Sequence, residues 1–206
     1  NELLAGAGTV VDGIAYISYS EQFWGQILSL STIAFDIESG TIVEQVEHST
    51  SDYSAYAINM AYNYVEDMIY AITLDASGSL YGLSTFDRTT YTYNRIVDFP
   101  EDWDIYAMTF DPNGTLYLIF ADGIVREVDP ATGEILGEAC NTGFEPVYMQ
   151  SACWSPMDEQ ILWAASNDYE SHIIAVDVAT GTSEILCSYS NLEEWVCLYT
   201  TDPMAA

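Results

Sequence analysis

Apolar residues in this chain fall into runs of five to eight that end at Asp, Asn, Pro or Gly. In segments 115–120 and 173–178 the runs are dominated by β-branched and aromatic side chains, with no capping box and no stripe at helical spacing. This pattern predicts short strands almost throughout and next to no helix.

The punctuation between the runs repeats. Segments 63–70, 111–117 and 155–163 each place a polar turn before an apolar strand; their aromatic landmarks Tyr70, Tyr117 and Trp163 lie 47 and 46 residues apart, and an earlier unit carries Tyr16. A second turn recurs as Asp36-Ile37-Glu38-Ser39-Gly40, Asp129-Pro130-Ala131-Thr132-Gly133 and Asp177-Val178-Ala179-Thr180-Gly181, with a degenerate copy at 86–90. In such turns Asp bonds its own backbone and Gly supplies the positive φ that closes a hairpin. Each unit is therefore two hairpins, and its period matches one four-stranded propeller blade. The expected fold is all-β and propeller-like, a single domain over 1–206. Its four repeats fall at about 1–47, 53–99, 104–140 and 148–188, with a terminal strand at 193–203. Four blades, five blades and an open arc all fit that count.

The segment 60–70, the run Ile124-Val125-Arg126-Glu127-Val128-Asp129-Pro130-Ala131-Thr132-Gly133-Glu134 and the closing Trp195-Val196-Cys197-Leu198-Tyr199 together carry a resemblance. They are similar to the β-propeller repeats of secreted or surface-attached proteins of gut bacteria, which often stand beside immunoglobulin-like modules. The resemblance implies a propeller fold, an extracellular or cell-surface location and an adhesion-type role. It brings no catalytic residues.

Composition narrows the function classes. Half of the 206 residues are apolar, enough for a core, and no run reaches the roughly 18 apolar residues of a membrane span. Asn1 does not open a signal peptide, so any export signal is expected to have been removed. Asp and Glu total 32 against three Arg and no Lys, a net charge of −29. That field repels nucleic acid and anionic lipid, and a phosphate loop of the Walker type cannot be built without Lys. Neutral and cationic partners remain. Cys140, Cys153, Cys187 and Cys197 allow three disulfide pairings if all are oxidised; they form no CxxC pair, which speaks against zinc, and their strand-like apolar context makes buried free thiols the simplest expectation.

Candidate chemistry lies in the loops joining second to third strands and each fourth strand to the next blade, which a meandering sheet sends to one face. The ligand-binding candidates there are Trp24, Tyr53, Asp102, Trp103, Asp104, Phe144, Tyr148, Tyr169, Glu194 and Trp195. Rings among carboxylates suit sugars and cationic peptides. A glycan or protein ligand is the expected partner, with a homo-oligomer or an immunoglobulin-like neighbour as a further one. Paired carboxylates such as Glu193 and Glu194, or Asp102 and Asp104, keep a carbohydrate-active enzyme as the alternative, and a structural spacer is the third class. No cofactor is expected beyond incidental calcium at the acidic loop 101–104. His48 and His172, 124 residues apart without a triad or metal motif, read as surface or turn histidines.

Overall fold

The computed structural model describes residues 2–23, 26–147, 150–189 and 198–199. Each pair of turn motifs folds as the local chemistry dictates, and the result is four sheets of four antiparallel strands. The first sheet holds β1 (Glu2–Val11), β2 (Ile14–Phe23), β3 (Gln26–Asp36) and β4 (Thr41–His48). The second holds β5 (Ala57–Asn63), β6 (Met68–Leu74), β7 (Tyr81–Asp87) and β8 (Thr92–Asp98). The third holds β9 (Ile105–Phe110), β10 (Leu116–Phe120), β11 (Ile124–Val128) and β12 (Ile135–Asn141), and the fourth β13 (Ser151–Ser155), β14 (Gln160–Ser166), β15 (Ser171–Asp177) and β16 (Thr182–Tyr189). Strand order within every sheet follows chain order, as in propeller blades. Among the described residues the one helical element is a 3-10 turn, Tyr53–Ala55. The fold is thus all-β with four propeller blades. Most of the terminal strand expected at 193–203 lies outside the described residues; Leu198 N–H donates to Ser151 Oγ at 2.8 Å.

Two compact units emerge, Asn1–Tyr62 with Met68–Glu101 and Asn63–Asp67 with Asp102–Ala206. In the first, Ala7, Val11 and Ala34 of blade one pack on Ala57, Met60, Ile69, Ala71 and Phe86 of blade two. In the second, Tyr117, Ile119 and Val125 of blade three pack on Trp154, Ile161, Trp163 and Ile174 of blade four. The solid apolar runs are explained by this burial on both faces of the inner strands. β5, β10 and β13 are buried nearly end to end, whereas the outer strand β8 alternates exposed with half-buried positions. Every pairing of a third with a fourth strand also carries a bulge, for example between Ala34 and Phe35 and between Leu83 and Ser84. Such bulges add local twist to the blade rim.

Backbone conformation sets the register of the aromatic landmarks. The turn between first and second strands contains a residue of positive φ in each blade: Gly13 (78°), Asp67 (51°), Gly114 (84°) and Glu159 (54°). Three residues on stand Tyr16, Tyr70 and Tyr117, but in blade four the same place is held by Leu162, and Trp163 is one further. A one-residue slip turns a side chain to the other face of a strand. Accordingly Tyr16 meets Phe86 of the following blade at 5.9 Å and Tyr117 stacks on Trp154 of its following blade at 6.5 Å. Trp163 instead joins the face of blade four that packs back onto blade three, fully buried, with Nε1–H donating to Gln150 Oε1 at 2.8 Å. The 46-residue step read from the sequence conceals that change of face.

The second recurring turn is uniform. Gly40, Tyr91, Gly133 and Gly181 donate their N–H to the carbonyl of the Asp four residues earlier, at 2.7–3.0 Å, all with positive φ. Tyr91, at φ 57°, occupies the glycine place in the copy that looked degenerate. Its ring compensates by packing edge-on against Phe86 at 5.7 Å. Left-handed backbone costs a residue with a Cβ roughly 1–2 kcal/mol. Tyr91→Gly and Tyr91→Ala should therefore both lose stability through the missing ring, and the Ala variant should lose about 1 kcal/mol more, read from urea midpoints. An Ala variant equal to or more stable than the Gly variant would contradict this account.

The cysteines divide: Cys140 and Cys153 are buried, whereas Cys187 is exposed, against the expectation of buried thiols throughout. Cys187 lies on the outer strand β16, most of whose residues face solvent. Cys197 lies outside the described residues.

Candidate functional site

In the second unit, described loops chosen from the sequence are stitched together by backbone bonds. Ala121 N–H donates to Asp104 O at 2.9 Å, Gln150 N–H to Tyr106 O at 3.0 Å and Val147 N–H to Ser166 O at 2.9 Å. These tie the connection after β8, the β10–β11 turn, the connection after β12 and the end of β14 into one end of the unit.

Of the candidate residues, Trp24, Tyr148, Glu194 and Trp195 lie outside the described residues. Tyr53 belongs to the first unit, in the 3-10 turn capped by Asp52, and its ring lies against Gly78. Asp102 and Asp104 are exposed, and between them the half-buried Trp103 sets its edge on Phe120 at 5.2 Å. Phe144 is 8% exposed and packs edge-on against Trp163 at 5.6 Å and His172 at 5.4 Å, so it is a wall of the core rather than a contact surface. Tyr169 is the opposite case, 90% exposed at the tip of the β14–β15 turn. Asn167 Oδ1 builds that tip by accepting from the N–H groups of Tyr169 and Glu170 at 2.9 and 3.0 Å.

Charge at this end is almost wholly negative. Asp102, Asp104, Asp122, Asp168 and Glu170 are exposed. Arg126 grips Asp122 through two bonds at 3.0 and 2.6 Å while its guanidinium lies 4.5 Å above the Phe120 ring. That grip holds the Asp122 carboxyl below its ordinary range. His172 is a buried strand residue and not a surface one: Nδ1 bonds Ser188 Oγ at 2.9 Å, and Nε2 lies 3.1 Å from Glu170 Oε2 without hydrogen-bond geometry. His48, at the end of β4, bonds Thr32 Oγ1 at 3.0 Å, and burial pushes its pKa down. Among the described residues no group of three or more His, Cys, Asp or Glu is placed to hold a metal ion.

The opposite end of the second unit holds a cleft of about 410 Å³, lined by the turns that follow β9, β13 and β15 and floored in part by Trp154. No candidate chosen from the sequence lies there. In the sequence most of its lining residues read as turn formers, and the available signal is the recurrence of Pro at 112 and 156 in successive blades beside Trp154.

No family model matches the chain, and no curated protein matches it. Solved structures do. The chain is similar to a chain of the nidogen–laminin complex, at 14% identity and TM-score 0.60, covering 95% of this chain and 68% of that one. It is similar to Myxococcus xanthus glutaminyl cyclase, at 14% identity and TM-score 0.59, covering 92% and 75%. A Bacteroides thetaiotaomicron protein matches at 11% identity and TM-score 0.59, covering 89% and 43%. This chain spans 52% and 43% of the first two solved structures it matches, about half their length. At such identities, and with 570 solved chains matching, the likeness establishes the propeller fold and nothing about activity.

Proposed function

We propose that the chain is an extracellular or cell-surface binding module of the adhesion type, which presents the acidic, aromatic loop end to a neutral glycan or a cationic protein segment. The observation that carries this reading is the Tyr169 ring, 90% exposed between the exposed Asp168 and Glu170 on a turn built by Asn167. An exposed ring on a turn held by Asn167 makes no contribution to a core, and large aromatics are the side chains that anchor interfaces. A net charge of −29 selects against anionic partners and raises the encounter rate of cationic ones. The gut-bacterial repeats that the sequence resembles support the location.

The test pairs a glycan array with a panel of Lys/Arg-rich peptides, using the parent chain and Tyr169→Ala. Tyr169→Ala should weaken the captured ligand by about tenfold or more, a hot-spot effect, while leaving Tm unchanged. Absence of any bound glycan or cationic peptide, or equal binding by the variant, would remove the reading. Product released from a captured glycan would favour an enzyme instead.

A further inference from the structure

The turn between β9 and β10 carries the chain's one Asn-Gly pair, Asn113-Gly114. An asparagine is chemically safe where its carboxamide is held, and the described asparagines divide on that point. Asn63, Asn141 and Asn167 each use Oδ1 to accept backbone N–H groups of their own turns, at 2.9–3.4 Å. Asn59 is 3% exposed, and Asn94 lies within β8, paired across to Thr85. Asn113 is exposed and does not build its turn. That task belongs to Asp111, whose Oδ1 accepts the N–H groups of Asn113 and Thr115 at 2.9 and 2.8 Å, while Asn113 Nδ2 donates to Asp111 Oδ2 over a long 3.3 Å.

The residue that follows decides whether a carboxamide can be attacked from its own backbone. Gly114 has no Cβ to keep its nitrogen away from the Asn113 side chain, and its φ of 84° is one that few other residues tolerate. Its N–H donates to Asp111 O at 3.1 Å, a bond that must open before the nitrogen reacts and that lies in a turn, where local opening is easiest. After the other described asparagines stand Met60, Tyr64, Arg95, Thr142 and Asp168, each with a side chain that crowds such an approach.

We infer that Asn113 is a site of spontaneous deamidation in the folded protein, converted ahead of every other described asparagine. The Gly114 nitrogen attacks Asn113 Cγ, the Cγ–Nδ2 bond breaks, and the amino group departs with the Gly114 amide proton as ammonia, leaving a succinimide ring. Water then adds to either ring carbonyl and breaks its bond to the Gly114 nitrogen, giving isoaspartate or aspartate.

Both products act on the turn. In aspartate, a carboxylate replaces the donating Nδ2 beside Asp111, itself 6% exposed, so an attraction becomes a repulsion between two acids. In isoaspartate the main chain gains a methylene just before Gly114, where a Cβ would stand only 3.3 Å from Asn63 Oδ1 and from Val65 Cγ2. The turn therefore loosens as the molecule ages. This site shares no residue with the Tyr169 turn, so either reading can fail alone.

The test holds the whole chain at mildly alkaline pH and body temperature for weeks, with samples digested and mapped by mass. Cleavage after Arg95 and Arg126 releases peptide 96–126, whose single amide side chain is Asn113. That peptide should gain about 1 Da before any other described asparagine is converted. An isoaspartyl methyltransferase should label the aged parent, whereas Asn113→Gln, which lacks the five-membered route, should stay unlabelled over the same interval. Asn113→Asp, made directly, should melt about 2–4 °C below the parent. The inference is overturned if peptide 96–126 keeps its mass, if another described asparagine is converted first, or if Asn113→Gln is labelled as strongly as the parent. An Asn113→Asp variant as stable as the parent would overturn the effect on the turn.

Discussion

Gly82→Ala is expected to destabilise the protein by roughly 3 kcal/mol, a fall of roughly 6–12 °C in Tm. Gly82 lies in β7 beside the guanidinium of Arg95, which crosses from β8 to collect the carbonyls at both ends of the β6–β7 connection. Nη1 donates to Thr73 O at 2.8 Å and Leu74 O at 3.3 Å, Nη2 to Leu80 O at 3.2 Å, and Nε to Asp98 Oδ1 at 2.9 Å. A Cβ on residue 82 would overlap both the guanidinium and Val97 O. Either the charged group leaves its carbonyls or the strand shifts, and both outcomes strand polar atoms that are now satisfied. Gly137→Ala is the matched control, because a Cβ there meets nothing and its strand position is exposed; it should change stability by less than about 0.5 kcal/mol. Arg95→Ala should itself be destabilising, and the double variant should lose much less than the sum of the two, since both remove the same bonds. Thermal unfolding of the four variants beside the parent decides the matter. A Gly82→Ala melting curve overlying that of Gly137→Ala would show that Arg95 has room to spare.

The same contrast explains what the sequence could and could not disclose. Strands, turns and the blade period were legible because Asp36, Asp129 and Asp177 with their glycines act locally: each turn is closed by bonds within five residues. Side-chain direction was less legible, because it depends on where in a turn the positive φ falls. Trp163 was thereby aligned with Tyr117 although it faces the other way. Tyr91 disguised a regular turn by standing where glycine stands elsewhere. At the loop end, Phe144 and Tyr169 are equally plausible aromatic contacts in a string of letters. Only tertiary packing buries the first under Trp163 and leaves the second 90% exposed. The cleft was invisible for a different reason: Asp111 and Val178 come from two turns and Trp154 from a strand, spread over two blades, and no local pattern links them.

Acid should unfold this protein through its turns, with stability falling steeply below about pH 4, the ordinary aspartate range. The Asp of each recurring turn is held below its ordinary value by local donors. For Asp36 the chief donor is the Ser39 N–H, for Asp87 the Thr89 N–H, for Asp129 the Ala131 N–H, and for Asp177 the Thr180 hydroxyl. Asp75 goes furthest, lowered to about 2 by the Ser77 hydroxyl and then the N–H groups of Leu80 and Ser79. A carboxyl with a lower pKa in the folded than in the unfolded chain binds fewer protons when folded. Its stabilisation is thus complete above about pH 4 and disappears as pH falls through the folded value, near 2 for Asp75. Protonation also relieves the self-repulsion of a chain at −29, which acts in the opposite direction and begins at higher pH. Comparing Asp75→Asn with the parent separates the two effects, because nearly the same repulsion is present in both. The variant should melt lower at pH 7, and the gap in Tm should close between about pH 4 and pH 2 as the parent's own carboxyl becomes neutral. A gap that stays constant over that interval would mean that Asp75 supports its turn as well when protonated as when charged, and that acid acts on this fold through some other group.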